Sequence, residues 1–169
     1  MPKTDDRKKT EDVIIYEEDF YADKEAAVES LQILVFRLSQ EWYGINVAKI
    51  KMAMKVQQIV YLPFAPASIA GITNFRGDIM SVTDLKKIFG LPDSELTETT
   101  RLIIIESGLC SSALLVDQID EIIAVPVSEI YPKLETIAPQ RAQYIEAGCR
   151  FGQRLLGILD VERIFQKDH

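Results

Sequence analysis

The chain has a single histidine, His169, and it is the last residue. Terminal residues are poorly held, so no Ser–His–Asp or Cys–His constellation can be assembled in the core. The two cysteines, Cys110 and Cys149, lack the paired spacing of a zinc site and admit at most one disulfide. No run of 18 apolar residues exists, so no transmembrane helix and no direct membrane insertion are expected. The polar, charged N-terminus does not read as a secretory signal, which makes reduced, unpaired thiols in the cytoplasm the expectation. Glycine-rich phosphate loops are missing. Positive charge is also in short supply: 19 Lys and Arg against 26 Asp and Glu leave a net charge of −7 and a pI near 4.8. That balance argues against nucleic acid as a partner. No cofactor, no metal and no catalytic residue are expected. The carboxylates Asp117, Asp120 and Glu121 form the one acidic group that a small metal-dependent hydrolase would use. Their spacing fits a solvated turn better than a metal loop.

What remains is an ordinary globular composition, 169 residues at 47% hydrophobic and 27% charged, enough for one domain or two small intimate units. Residues 1–29 stand apart. They carry ten acidic and five basic side chains, most of the net charge, and are expected to form an acidic flexible tail that contributes little to stability. Within the tail lies an apolar island, Val13-Ile14-Ile15-Tyr16, with Phe20-Tyr21 following, which has the makings of a short linear motif.

From residue 30 the pattern is mainly β. Leu31–Leu38 and Trp42–Val47 read as strands around a polar turn, Val47–Met52 as a helical turn, and Met54–Tyr61 as a third strand. Pro63 and Pro66 stiffen the connector that follows. The second half repeats this grammar: strands at Thr100–Glu106 and Ser112–Val116, a helical turn at Asp117–Glu121, and a strand at Ile122–Val125. A proline-stiffened connector, a short helix or turn over Gln140–Ala147, a strand at Leu155–Leu159 and a helix over Val161–Gln166 complete it. A shift of 69 places Leu34 on Ile103, Val47 on Val116 and Ile50 on Ile119. A shift of 76 places Phe75 on Phe151, Asp84 on Asp160 and Phe89 on Phe165. Two β-units follow, each too short for an independent core, so they are expected to pack together.

The stretch that organises the chain is Gly71–Gly90, GITNFRGDIMSVTDLKKIFG. Its opening reads as a loop bracketed by Gly71 and Gly77 with Asn74 and Arg76 at the tip, followed by a strand at Asp78–Val82 and a helix at Leu85–Phe89. Asp84 is expected to cap that helix and Gly90 to close it in a left-handed conformation, while Asp160 caps the equivalent final helix. Asn74 is expected to close the turn through its amide, and Arg76 to present a planar five-donor group. The plainer reading of Arg76 is a surface arginine paired with Asp78 or Asp84. The second copy carries Arg150 and Gly152 at the matching positions, so the display is not duplicated.

The pattern G-x-x-N-x-R-G, then apolar-x-apolar, then V-x-D-L and a final G resembles the central signature of CheW-like domains. Gly71, Asn74, Arg76, Gly77, Val82, Asp84, Leu85 and Gly90 all fall at the family spacing, and LLGILDVERIF at Leu155–Phe165 resembles its closing strand and helix. The chain departs from the family at Ser81, where proline is usual, at Phe75, where leucine is common, and at Met52, where glutamate is common. The resemblance runs from about Leu31 to Phe165 and places the domain at residues 30–169. It implies two interlocked five-stranded SH3-like β-barrels with short helices. It further implies a non-enzymatic adaptor, cytoplasmic and recruited to membrane-associated receptor arrays. Such an adaptor couples the cytoplasmic tip of methyl-accepting chemoreceptors to the regulatory domain of a CheA-type histidine kinase. The expected receptor contact comprises Arg76, Asn74, an exposed Phe75, Ile50 and Met52, with an apolar patch at the end of a β-unit left for the kinase. A paralogue serving another output, such as pilus-based motility, is the alternative within the family.

Overall fold

The computed structural model describes residues 13–15, 29–108, 110–132 and 139–167. Eleven strands are described: β1 (Val13–Ile15), β2 (Ser30–Leu38), β3 (Glu41–Asn46), β4 (Ile50–Lys55), β5 (Ile69–Phe75), β6 (Asp78–Asp84), β7 (Arg101–Ser107), β8 (Cys110–Val116), β9 (Gln118–Pro126), β10 (Ile145–Phe151) and β11 (Arg154–Leu159). Three short helices accompany them: α1 (Leu85–Phe89), α2 (Pro139–Ala142) and α3 (Val161–Lys167). Strands run in two sheets, ordered β1-β4-β7-β8-β6-β5 and β10-β11-β3-β2-β9.

The two halves of the sequence are interlocked rather than stacked. The third strand of each half leaves its own sheet and pairs with the first strand of the other: β4 with β7, and β9 with β2. The last hairpin of each half also crosses over, β6 running parallel to β8 and β11 parallel to β3. The registers repeat at the sequence offsets. Val82 lies opposite Ala113 and Ile158 opposite Gly44; Ile50 lies opposite Ile105 and Ile119 opposite Phe36. Irregularities repeat as well. One extra residue interrupts β4 between Ile50 and Met52, and one interrupts β9 between Ile119 and Ile122.

Crossing over explains why the first strand of each half is apolar without alternation. On β2, Leu34, Phe36 and Leu38 enter the core between the two sheets, while Ile33 and Val35 enter a second cluster within their own unit. On β7, Ile103 and Ile105 enter the shared core, while Leu102 and Ile104 join Met52, Met54, Phe75, Met80 and Val82 inside the other unit. A strand buried on both faces has no polar face to show.

Several expectations are corrected. The third strand is β4 at Ile50–Lys55, not Met54–Tyr61, because the apolar run IKMAM finds β7 on one side, and the later residues form a connector that meets β5 in an isolated bridge at Val60–Ile72 and through the Thr73 hydroxyl, which donates to the Gln58 carbonyl. The Gly71–Gly77 loop is largely strand β5, paired residue for residue with β6. Asp117–Glu121 is no helical turn: Gln118 onward is β9, and its bulge produced the helix-like pattern. Of Gln140–Ala147, only residues to Ala142 are helical, and Ile145 already belongs to β10. Three residues of the tail are placed, Val13–Ile15, which add antiparallel to the edge of β4. Tyr16, Phe20, Tyr21 and His169 lie outside the described residues.

The helices end as their sequences require. Asp84 accepts from the Lys86 N–H at 3.0 Å, and Gly90 closes α1 at φ 69. Asp160 accepts from the Arg163 N–H at 3.1 Å at the start of α3.

Candidate interaction site

Asn74, Phe75, Arg76 and Gly77 form the tip of the β5–β6 hairpin. Phe75 pairs with Asp78, which leaves Arg76 and Gly77 as the two turn residues, at φ 52 and 87. Positive φ at both positions is the two-residue pattern that matches the twist of a hairpin, and it favours Asn-Gly. Asn74 contributes from one residue back: its side-chain oxygen accepts the Gly77 N–H at 2.9 Å. It is a turn-closing residue, as its position in the sequence suggests.

Arg76 is exposed and left-handed, a conformation that costs a non-glycine residue about 1 kcal/mol. Its guanidinium carbon lies 5.1 Å from the centre of the Phe75 ring, and Nη2 lies 3.7 Å from the Met52 sulfur. Neither Asp78 nor Asp84 pairs with it, and among the described residues no carboxylate does. The group is therefore held over an apolar footing, with a weak sulfur acceptor and no carboxylate partner among the described residues.

The other candidate contacts lie beneath the surface. Phe75 is buried at 5% exposure, so the expectation of an exposed ring is corrected: its face supports Arg76 from below. Met52 is buried in the same cluster and also supports the arginine. Ile50 is buried as well, but in the core between the sheets, so the fold does not bring it to Arg76. Bulge geometry sends Ile50 and Met52 to different cores. Ile45, Val47 and Met54 are buried too.

Apolar surface occurs nearby on β6 and on the connector that precedes β5. Ile79, on β6, is 70% exposed, and Val60, Tyr61 and Phe64 of the connector are 50%, 71% and 99% exposed. A cleft of about 290 Å³ between connector and hairpin is lined by Gln57, Gln58, Val60, Ile72, Thr73, Asn74 and Ile79. Gly71 makes this closure possible, since a Cβ there would sit 2.3 Å from the Val60 carbonyl oxygen. Phe64, between Pro63 and Pro66, was the available sequence signal for that surface.

The acidic group does not assemble into a site. Asp117 holds Lys86 at 2.8 Å and accepts the Ser39 N–H at 2.7 Å, while Asp120 and Glu121 are exposed on β9. Among the described residues no cluster of His, Cys, Asp or Glu could hold a metal ion. Cys149 is a free, buried thiol, pushed above its ordinary pKa by burial; the Cys110 side chain lies outside what is described. No helix among the described residues is long and apolar enough to cross a membrane.

Residues 32–169 match the CheW-like domain family. The chain is 31% identical to chemotaxis protein CheW of Bacillus subtilis (strain 168) over 137 residues, 81% of this chain and 88% of that protein. It is 30% identical to chemotaxis protein CheW of Treponema pallidum (strain Nichols) over 141 residues, with 81% and 83% covered. The crystal structure of scaffolding protein TtCheW from Thermoanaerobacter tengcongensis superposes with a TM-score of 0.72 at 29% identity, covering 78% of this chain and 90% of that one. With the interlocked sheets, the capped α1 and the glycine-bracketed arginine hairpin all in place, this chain belongs to the CheW-like domain family.

Proposed function

We propose that the chain is a non-enzymatic coupling scaffold of a chemosensory system. In this reading it binds the cytoplasmic tip of a methyl-accepting chemoreceptor through the Arg76 hairpin, and the regulatory domain of a CheA-type kinase through a separate apolar patch. Work is done by binding alone. Holding both partners raises the local concentration of kinase at the receptor, and receptor state shifts the kinase through differential contacts. The protein would act in the cytoplasm, recruited to receptor arrays.

The observation that carries the receptor contact is a difference between the two copies. At the turn position where the second copy has Gly152 at φ 61, the first has Arg76 at φ 52. A residue that strains the turn and has no ionic partner among the described residues is well explained by a partner outside the fold. Asn74 supports the display by closing the turn. Phe75 and Met52 support it from below, and Ile50 serves the core.

The test is a titration with a receptor-tip fragment and, separately, with the kinase regulatory domain. Arg76→Ala should weaken receptor binding by about thirtyfold, the expected loss of a charge-assisted contact at an interface, and leave kinase binding unchanged. Equal receptor affinity for parent and variant would refute the receptor assignment. Failure of the parent to bind either partner would refute the coupling role.

A further inference from the structure

The single tryptophan, Trp42, lies on β3 and packs with Phe151 against the apolar cluster inside the second unit. The Arg37 guanidinium carbon is 5.0 Å from the centre of its ring, and that of Arg154 is 4.7 Å away. Phe151 stands 5.6 Å from the same ring. Two like charges thus share one aromatic ring, in a chain whose net charge is −7.

Two adjacent carboxylates, Glu41 beside Trp42 in the chain and Asp117, whose backbone N–H donates to the Arg37 carbonyl, are committed elsewhere. Glu41, on the same strand as Trp42, pairs with Arg141 and accepts from the Tyr43 hydroxyl. Asp117 is held by Lys86 and the Ser39 N–H. Arg37 donates to the Gln118 side-chain oxygen, a neutral partner. Arg154 is exposed, as is Arg150 on the neighbouring strand, and no ion pair among the described residues involves any of the three. A ring face can offset part of the repulsion between guanidinium groups, but it supplies no counter-charge, and Arg37 has only the neutral Gln118 oxygen for its hydrogen bond.

We propose that Arg37, Trp42 and Arg154 form a docking site for an acidic peptide segment of a partner protein. The guanidinium edges would take side-chain carboxylates, and Trp42 and the half-exposed Leu155 would cover the intervening aliphatic carbons. Charge complementarity selects the occupant: this is a patch of cations with no ionic partner among the described residues, in a chain of net charge −7. The site is independent of the coupling role and of the Arg76 hairpin, so either can fail alone.

Trp42 is its own reporter, because no other residue contributes indole fluorescence. The full chain should be titrated with hexaglutamate at low salt, with hexaglutamine and inorganic phosphate as comparisons. A saturable change in emission is expected with hexaglutamate only, weakening as salt rises. Arg154→Gln, an exposed substitution, should keep the parent melting curve and weaken the response by about fivefold. Arg37→Gln should act in the same direction. Silence with hexaglutamate, an equal response to hexaglutamine or phosphate, or an unchanged response in a folded Arg154→Gln variant would each overturn the assignment.

Discussion

Lys86 Nζ lies 2.8 Å from Asp117 Oδ1, although the lysine side chain is only 6% exposed. The pair joins helix α1 of the first half to the β8–β9 junction of the second. Lys86 also donates to the Ser94 hydroxyl, and the other Asp117 oxygen accepts from the turn at Ser39. Removing the acid strands a buried ammonium, whereas removing the lysine leaves a carboxylate that is part-exposed and still hydrogen-bonded. Asp117→Ala is therefore expected to cost about 3 kcal/mol, and Lys86→Met, which replaces the charge with apolar volume, less than about half of that. Thermal melts of the two variants check the asymmetry, and equal losses would contradict it.

Arg76→Gly separates strain from display. Glycine occupies the left-handed turn position at no steric cost, so the variant should be as stable as the parent or more so, by up to about 1 kcal/mol. Receptor binding should fall as in Arg76→Ala. Arg76→Lys keeps the charge without the planar fork and should recover only part of the affinity. A full recovery with lysine would mean that charge alone is read.

Gly71→Ala should be severe. The backbone at φ 154 and a Cβ 2.3 Å from the Val60 oxygen cannot both be accommodated. Either the connector leaves the hairpin, losing both Val60–Ile72 hydrogen bonds, or the hairpin shifts. A loss of more than about 2 kcal/mol is expected, with hydrogen exchange accelerated at Val60 and Ile72 ahead of the β2 amides.

Deleting residues 1–28 removes β1 from the edge of β4. Composition alone argues for almost no effect, whereas a short edge strand argues for about 1 kcal/mol, a fall of about 2–4 °C in melting temperature. Faster exchange at the Ala53 and Met54 amides in the truncated chain would localise the loss to that edge. Unchanged melting and exchange would show that the strand contributes nothing.

The Lys49–Glu162 bridge gives a pH dependence of definite sign. The hydrogen bond from Lys49 holds the Glu162 carboxyl below its ordinary value, and the same bond holds Lys49 above its own. The glutamate contribution is present above the unfolded carboxyl value of about 4.3 and is lost as pH falls through the lower folded value. The lysine contribution is lost as pH rises through its raised folded value. Both groups are about two-fifths exposed, so Glu162→Gln should cost under about 1 kcal/mol at pH 7. The difference from the parent should close in acid, and a gap that persists at pH 2 would assign the loss to the Ser107 hydrogen bond instead.

Local features were legible in the sequence because their causes are local. The Asp84 cap, the Gly90 terminus, the Asn74-closed turn and the two-unit repeat depend on residues a few positions apart, or on a pattern that the offsets of 69 and 76 expose directly. Exchange of β4 and β9 between the units was not legible, because an apolar run does not say which sheet will bury it. The same limit applies at the site. Arg76 could be singled out from its glycines, but only packing put Phe75 and Met52 beneath it and sent Ile50 into the other core. The β4 bulge decides that split, and a bulge depends on the partner strand. Trp42 between two arginines likewise draws Arg37, Trp42 and Arg154 from three strands, and only the tertiary fold makes them neighbours.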